Sequence, residues 1–341
     1  MTAYERTVAV IEGRPVDRLP AMPIFMRWLG PRIGCSYRDY CLDGHDHLIA
    51  GQQHLVDEYG IDWVCAISDA WREAADCGAE LVEFENEPPA GKVPLLSSKS
   101  VLGGLSVPKP DAPGSRMSER VLAVAGLNAL YGPNSENRVP VSGWIEGPIA
   151  AACNLRGMNH FMLDLMDDGA FAADLLDFCT EMGTRFALAQ VKAGADIIGL
   201  GDAAASLCGP RFYEDFILPR EQAIIAAIHD AGALVRLHIC GNTNDILSPM
   251  ATTGADIIDL DHAVDVEAVR PAMGDEVVIA GNFDPVSVVQ DGTPADVTEA
   301  CRRCHEAFGP KFIVNAGCEI ATDTPVENVR AMFDYARDAQ V

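Results

Sequence analysis

Residues 232–260 read Gly232-Ala-Leu-Val-Arg-Leu-His-Ile-Cys240, then Gly241-Asn-Thr-Asn-Asp-Ile-Leu-Ser-Pro-Met-Ala-Thr-Thr253, then Gly254-Ala-Asp-Ile-Ile-Asp-Leu260. Two short aliphatic runs, Leu234–Ile239 and Ala255–Leu260, flank a helix-like segment near Thr243–Ala251. Aliphatic runs of about five residues bounded by glycine suit buried strands. A strand, a crossover and a second such strand make a βαβ unit, whose strands lie parallel.

The alternation extends in both directions. Upstream, the helix Phe171–Ala193 leads through Gly194 into the strand Ala195–Leu200, and a helix-like stretch, Arg211–Ala231, ends at Gly232. Downstream come the helix Val266–Met273, the strand Val277–Ala280, the helix Ala295–Phe308, the strand Lys311–Val314 and a last helix, Val326–Asp338. Gly194-Ala-Asp-Ile-Ile198 recurs as Gly254-Ala-Asp-Ile-Ile258, either one helix-to-strand turn used twice or a chance likeness. The first half is less regular. Ala21–Phe25, Ile61–Ile67 and Val139–Trp144 read as strands, with helices at Leu48–Tyr59 and from Pro148. Residues 83–118 are rich in Pro, Gly and Ser and read as an irregular insertion, a hairpin or lid. The strand count is about eight, so the expected fold is α/β, a (β/α)8 TIM barrel in one domain spanning 1–341.

The chain has 341 residues, of which 49% are hydrophobic, enough to bury a core and to exclude a disordered chain. Its 25 basic and 50 acidic residues give a formal charge of −25, which argues against a nucleic-acid partner. No stretch reaches the ~18 apolar residues of a membrane span. Glu5, Arg6 and Glu12 interrupt the N-terminal region, so it does not read as a signal peptide, and a cytoplasmic protein is expected. In a reducing compartment the eleven cysteines are core fillers, metal ligands or nucleophiles.

His238 and Cys240 stand at i and i+2 at the end of one strand, so both side chains point to one face. Cys318 follows another strand. One imidazole and two thiols from two strand ends suit zinc with a fourth position open. On spacing alone the three also fit ordinary buried residues; their common place at strand ends favours a site, because core residues lie more often in mid-strand. Asp261, with His262 beside it, is the candidate fourth ligand, against a reading as polar residues at the barrel mouth. Glu146 and Asp202 also follow strand ends, where a carboxylate takes a proton from a thiol or orients a ligand, or simply lines the cleft. Cys301-Arg-Arg-Cys304-His305 matches a haem-attachment spacing but sits in a helical run, and reads as a surface thiol pair. His45 and His47 read as part of a polar turn before a helix.

Gly281-Asn-Phe-Asp-Pro285, Gly292-Thr-Pro294, Gly317-Cys-Glu-Ile320 and Thr324-Pro-Val-Glu-Asn328 with Ala331-Met332 resemble the C-terminal signature of the uroporphyrinogen decarboxylase superfamily. Gly147-Pro148, Leu155-Arg-Gly157, Arg14-Pro-Val-Asp-Arg18 and Met26-Arg27 are similar too. The resemblance covers nearly the whole chain. It implies a distorted barrel with an N-terminal helical extension, residues 1–20, and a deep cleft. The true decarboxylases carry a His-Gly pair where this chain has Cys318-Glu319. With His238-x-Cys240, the chain looks like the corrinoid-dependent (methylcobalamin) methyltransferase branch.

By that resemblance His238, Cys240 and Cys318 are zinc ligands, and a partner protein supplies the corrinoid. The implied small molecules are a methylated O, N or S donor and a thiol or tetrahydrofolate acceptor; a homodimer is a further expectation. Arg27, Asp69 and Asn282 are the expected cleft residues, with Arg27 and Arg32 pairing with Asp69 or touching the corrinoid. The competing expectations are a metal-free porphyrinogen decarboxylase and a non-catalytic corrinoid- or metal-binding barrel. Methanol, methylamine, glycine betaine and aryl methyl ether pathways all use this branch, so the resemblance leaves the substrate open.

Overall fold

The computed structural model describes residues 1–42 and 44–339. Its strands, in chain order, are β1 (Val64–Cys65), β2 (Leu81–Val82), β3 (Ala90–Gly91), β4 (Val141–Glu146), β5 (Ile197–Gly201), β6 (Leu234–Ile239), β7 (Ile257–Leu260), β8 (Val278–Ala280) and β9 (Phe312–Ile313). Strands β2 and β3 form an antiparallel hairpin. The other seven make one parallel sheet in the order β1-β4-β5-β6-β7-β8-β9. The expected barrel is thus met in part, as a curled parallel sheet of seven strands.

Strands β5 and β7 are buried along their whole length, and β4 from Val141 to Ile145. This is why they read as unbroken aliphatic runs: helices cover one face of a parallel sheet and side chains fill the other. The repeated Gly-Ala-Asp turn has a physical cause. Gly194 (φ 109°) and Gly254 (φ 90°) end helical segments in the left-handed region that favours glycine. The aspartate two residues on then accepts an N–H from the start of the preceding strand. Asp196 takes that of Val141 at 3.0 Å, and Asp256 that of Val235 at 2.7 Å. One turn is used twice.

The early staves are shorter than their sequences suggest. Of Ile61–Ile67 only Val64–Cys65 is strand, because the Cys65 N–H goes to the Gln52 side chain and the Asp62 N–H to the Ala21 carbonyl. Of Ala21–Phe25 only Ala21 pairs, in a parallel bridge with Val314. The segment around it bonds on both sides: Met22 N–H to the Val314 carbonyl and Val314 N–H to the Pro20 carbonyl, each at 2.9 Å.

Residues 1–20 contain one helix, Ala3–Ile11, started by a Thr2/Glu5 capping box. It is tied down by Arg6 and Arg18, both paired with the fully buried Asp62. The 83–118 stretch holds part of the hairpin, a short helical turn Lys99–Gly104 and the start of the helix Arg116–Tyr131. Arg211–Ala231 is not one helix. Gly209 breaks the segment Ala205–Phe212, and a wide turn at Tyr213–Ile217 precedes Leu218–Asp230, where Pro219 lacks a donor. His45 caps the helix Asp46–Tyr59 and His47 lies inside it, a correction to the polar turn. No helix among the described residues is long and apolar enough to cross a membrane.

Candidate metal centre

Strand β6 carries His238 at its C-terminal end, Cys240 follows one residue past it, and Cys318 lies in the segment after β9. The fold brings these three together although Cys318 is far along the chain. His238 Nε2 is 3.0 Å from Cys240 Sγ, and the two sulfurs are 3.9 Å apart. All three donor atoms lie within 4.8 Å of one another. Zinc–sulfur bonds of about 2.3 Å in a tetrahedron put two sulfurs about 3.8 Å apart, so the thiols stand at ligand spacing. The imidazole is closer to Cys240 than two ligands of one ion would be. The donor types and the sulfur–sulfur spacing fit a zinc ion.

The other imidazole nitrogen is fixed by the neighbouring strand. His238 and Asp259 are register partners on β6 and β7. His238 Nδ1 lies 3.2 Å from both the Asp259 carbonyl and its carboxylate. Nδ1–H therefore donates to Asp259 and leaves Nε2 for a metal, the carboxylate–histidine arrangement that orients ligands. Asp259 is itself held by Arg236 at 2.7 Å and by the Asn315 amide at 2.7 Å. Burial opposes its charge, but Arg236 and His238 outweigh burial and keep the carboxyl below its ordinary range. Burial likewise opposes a His238 cation, and the charges on Cys240 and Asp259 overcome it, raising the imidazole. The hydrogen bond from Cys240, against burial and with His238 assisting, holds Cys318 well below its ordinary value, while the same bond and burial raise Cys240.

Over the donors opens a cavity of about 160 Å³, walled by Ile24, Met26, Ile67 and Trp144. The Trp144 ring sits 6.5 Å from that of His238. Gly199 makes this possible: a Cβ there would collide with the indole. Glu146 also lines the cavity. Burial first, then the charges of Glu73, Asp202 and Asp69, push its carboxyl well above the ordinary value. Its N–H donates to Glu73, whose own carboxyl burial lifts to about 7.

The remaining expected residues fall elsewhere. Asp202 lies behind Gly147, accepts the Ala150 N–H at 2.8 Å and is raised by burial to about 7. Asp261 accepts the Ala263 N–H at 2.9 Å and sits 3.1 Å from His262; neither belongs to the donor cluster formed among the described residues. Asn282 donates to the Asp261 and Val264 carbonyls and borders a separate cavity of about 480 Å³, which lacks the three donors. Arg27 does not meet Asp69: it pairs with Glu87 and Glu319, while Asp69 pairs with Arg72 and Arg116. Arg32 stacks on Trp28 instead. Cys301 and Cys304 are buried, not a surface pair. Sequence reasoning missed the part played by Asp259, although its place at the end of the strand after β6 was visible. It missed Glu319 next to Cys318 as well, and nothing in the sequence marked Glu73.

Fold and donor set together define a class: a parallel α/β protein with an imidazole and two thiols at the C-terminal ends of its strands. The chain belongs to the uroporphyrinogen decarboxylase (URO-D) family, whose profile matches residues 2–339. It is 30% identical to the methylcobamide:CoM methyltransferase MtbA of Methanosarcina acetivorans, over 99% of each chain. It is 27% identical to a uroporphyrinogen decarboxylase of Pelobacter propionicus, over 94% of each. A solved methyltransferase from Methanosarcina mazei shares the fold, with a TM-score of 0.88 over 98% of each chain at 24% identity.

Proposed function

We propose that this chain is a zinc-dependent methyltransferase that moves a methyl group between a corrinoid and a thiol. The observation that carries the reading is the trio His238, Cys240 and Cys318 at the floor of a cavity, with donor atoms within 4.8 Å of one another. The methylcobamide:CoM methyltransferases among its relatives support it. We further propose that the Pro20–Met22 segment is the eighth stave, closing the sheet between β9 and β1 into a (β/α)8 barrel, and that residues 1–341 form one domain. Eleven unpaired thiols support a reducing, cytoplasmic setting.

His238, Cys240 and Cys318 would hold the ion, with Asp259 orienting His238. Bound there, zinc supplies a Lewis acid that keeps a substrate thiol in its nucleophilic thiolate form. The substrate sulfur then shares its lone pair with the methyl carbon. A methylated corrinoid would supply the methyl group and keep the electron pair of its cobalt–carbon bond, so the exchange would need no outside oxidant, and the thiol proton leaves to solvent. Burial and the neighbouring carboxylates hold the Glu146 carboxyl well above its ordinary value, and it lines the cavity beside the reacting sulfur. Trp144 and Met26 exclude water from the reacting atoms.

The test is a methylcobalamin demethylation assay with simple thiols, alongside metal analysis of protein purified without chelator. About one zinc per chain and thiol-dependent loss of the cobalt–carbon absorbance are expected. Full decarboxylation of a porphyrinogen by chelated protein, with no demethylation, would overturn the reading in favour of the decarboxylase.

A further inference from the structure

The cavity over the candidate zinc ligands has an uneven distribution of charge. Among the described residues its lining includes three acidic side chains, Asp69, Glu146 and Glu319, and no lysine or arginine. The cations nearby are committed elsewhere. Arg27, next to Met26 in the wall, has Nε 3.4 Å from Glu319 and donates through Nη1 to Glu87 at 3.2 Å. Glu319 also accepts the Arg27 backbone N–H at 2.7 Å. Arg72 and Arg116 reach Asp69 at 2.8 and 2.9 Å, and that carboxylate is fully buried, so they spend their charge behind the wall.

A negative group on the thiol's far end, away from the sulfur held at the metal ligands, would lose its water and find no unpaired cation. Burial first, and then the nearby carboxylates, resist ionisation of Glu146 and resist a second anion set against it for the same reason. A neutral body avoids that cost, and a cation is offset by the face of Trp144 in the wall. The volume, about 160 Å³, lies below the ~300–1,000 Å³ of common ligand pockets, so the ligand is small.

We propose that the thiol this cavity accepts is small and carries no negative charge: a neutral or cationic thiol with an apolar body. The assignment rests on the thiol methyl transfer proposed above and names its substrate class.

The experiment compares three thiols of similar size on the zinc-loaded full chain: 2-mercaptoethanesulfonate, 2-mercaptoethanol and 2-aminoethanethiol. Each is assayed at equal thiolate concentration for demethylation of methylcobalamin, and its Kd is measured separately by calorimetry. We expect kcat/KM for the neutral and cationic thiols to exceed that for the sulfonate by about ten-fold or more, with Kd in the same order. Ala70→Arg, on an exposed part of the lining, should narrow the gap by raising use of the sulfonate. Equal or better use of the sulfonate by the natural protein overturns the charge assignment and leaves methyl transfer standing. An unchanged gap in a folded Ala70→Arg protein also counts against the electrostatic cause. If no thiol demethylates methylcobalamin, the methyl-transfer reading fails and the substrate class falls with it.

Discussion

Two pairs of cysteines in this molecule look alike in composition, yet only one pair contains a stabilised thiolate. Cys301 and Cys304 sit one turn apart on the helix Pro294–Phe308 and face the core. Burial lifts Cys304 to about 11 and Cys301 well above its ordinary value. Cys240 and Cys318 lie far apart in the chain, yet their sulfurs are 3.9 Å apart beside an imidazole. There the hydrogen bond from Cys240 holds Cys318 well below its ordinary value while the Cys240 thiol is itself raised, so one of the two sulfurs carries the negative charge. Proximity along the chain is therefore a poor guide to thiol chemistry. What counts is whether a neighbour stabilises the negative sulfur.

The contrast can be broken most sharply by deletion. Cys318→Ala should lose most of the bound zinc and lower the methyl-transfer rate by about a hundred-fold or more, while Cys304→Ala keeps both within two-fold. Zinc analysis and the demethylation assay read the two variants side by side; equal zinc retention would falsify the assignment. A smaller effect is expected from alkylation. In chelated native protein near pH 7, iodoacetamide should modify Cys318 about ten-fold faster than Cys301 or Cys304, as read by mass spectrometry of the peptides. Comparable rates would show that the neighbour does not set Cys318 apart from the buried pair.

The same contrast extends to carboxyls. Glu73 is buried and lifted to about 7, against an ordinary 4.5. Between those values the folded protein keeps a proton that the unfolded chain releases, so stability is lost as pH rises through that window. Glu73→Gln removes the loss. Relative to the natural protein it should gain up to about 3 kcal/mol between pH 4.5 and 8, measured by urea unfolding. A constant difference across that range would contradict it.

The second half of the fold was readable because its strands are buried on both faces and glycines mark the turns. The same local cues placed His238, Cys240 and Cys318 at strand ends. The first half was harder because its wall is built partly by side chains: Gln52 takes the bond that a neighbouring strand would give Cys65. Pairings across space were not legible either. Asp69 was matched with Arg27, yet it meets Arg72 three positions on and Arg116 from a distant helix. The burial of Cys301 and Cys304 did have a signal. Val297, Cys301, Cys304 and Phe308 fall on one helical stripe, the pattern of a core-facing side.

The bonds joining Met22 to Val314 have a consequence for biosynthesis. Met22 is translated well before Val314. The Pro20 carbonyl and the Met22 N–H must wait for their sheet partner until residue 314 has been translated. A nascent chain stalled before residue 314 therefore presents an uncapped sheet margin, the kind of edge that chaperones shield.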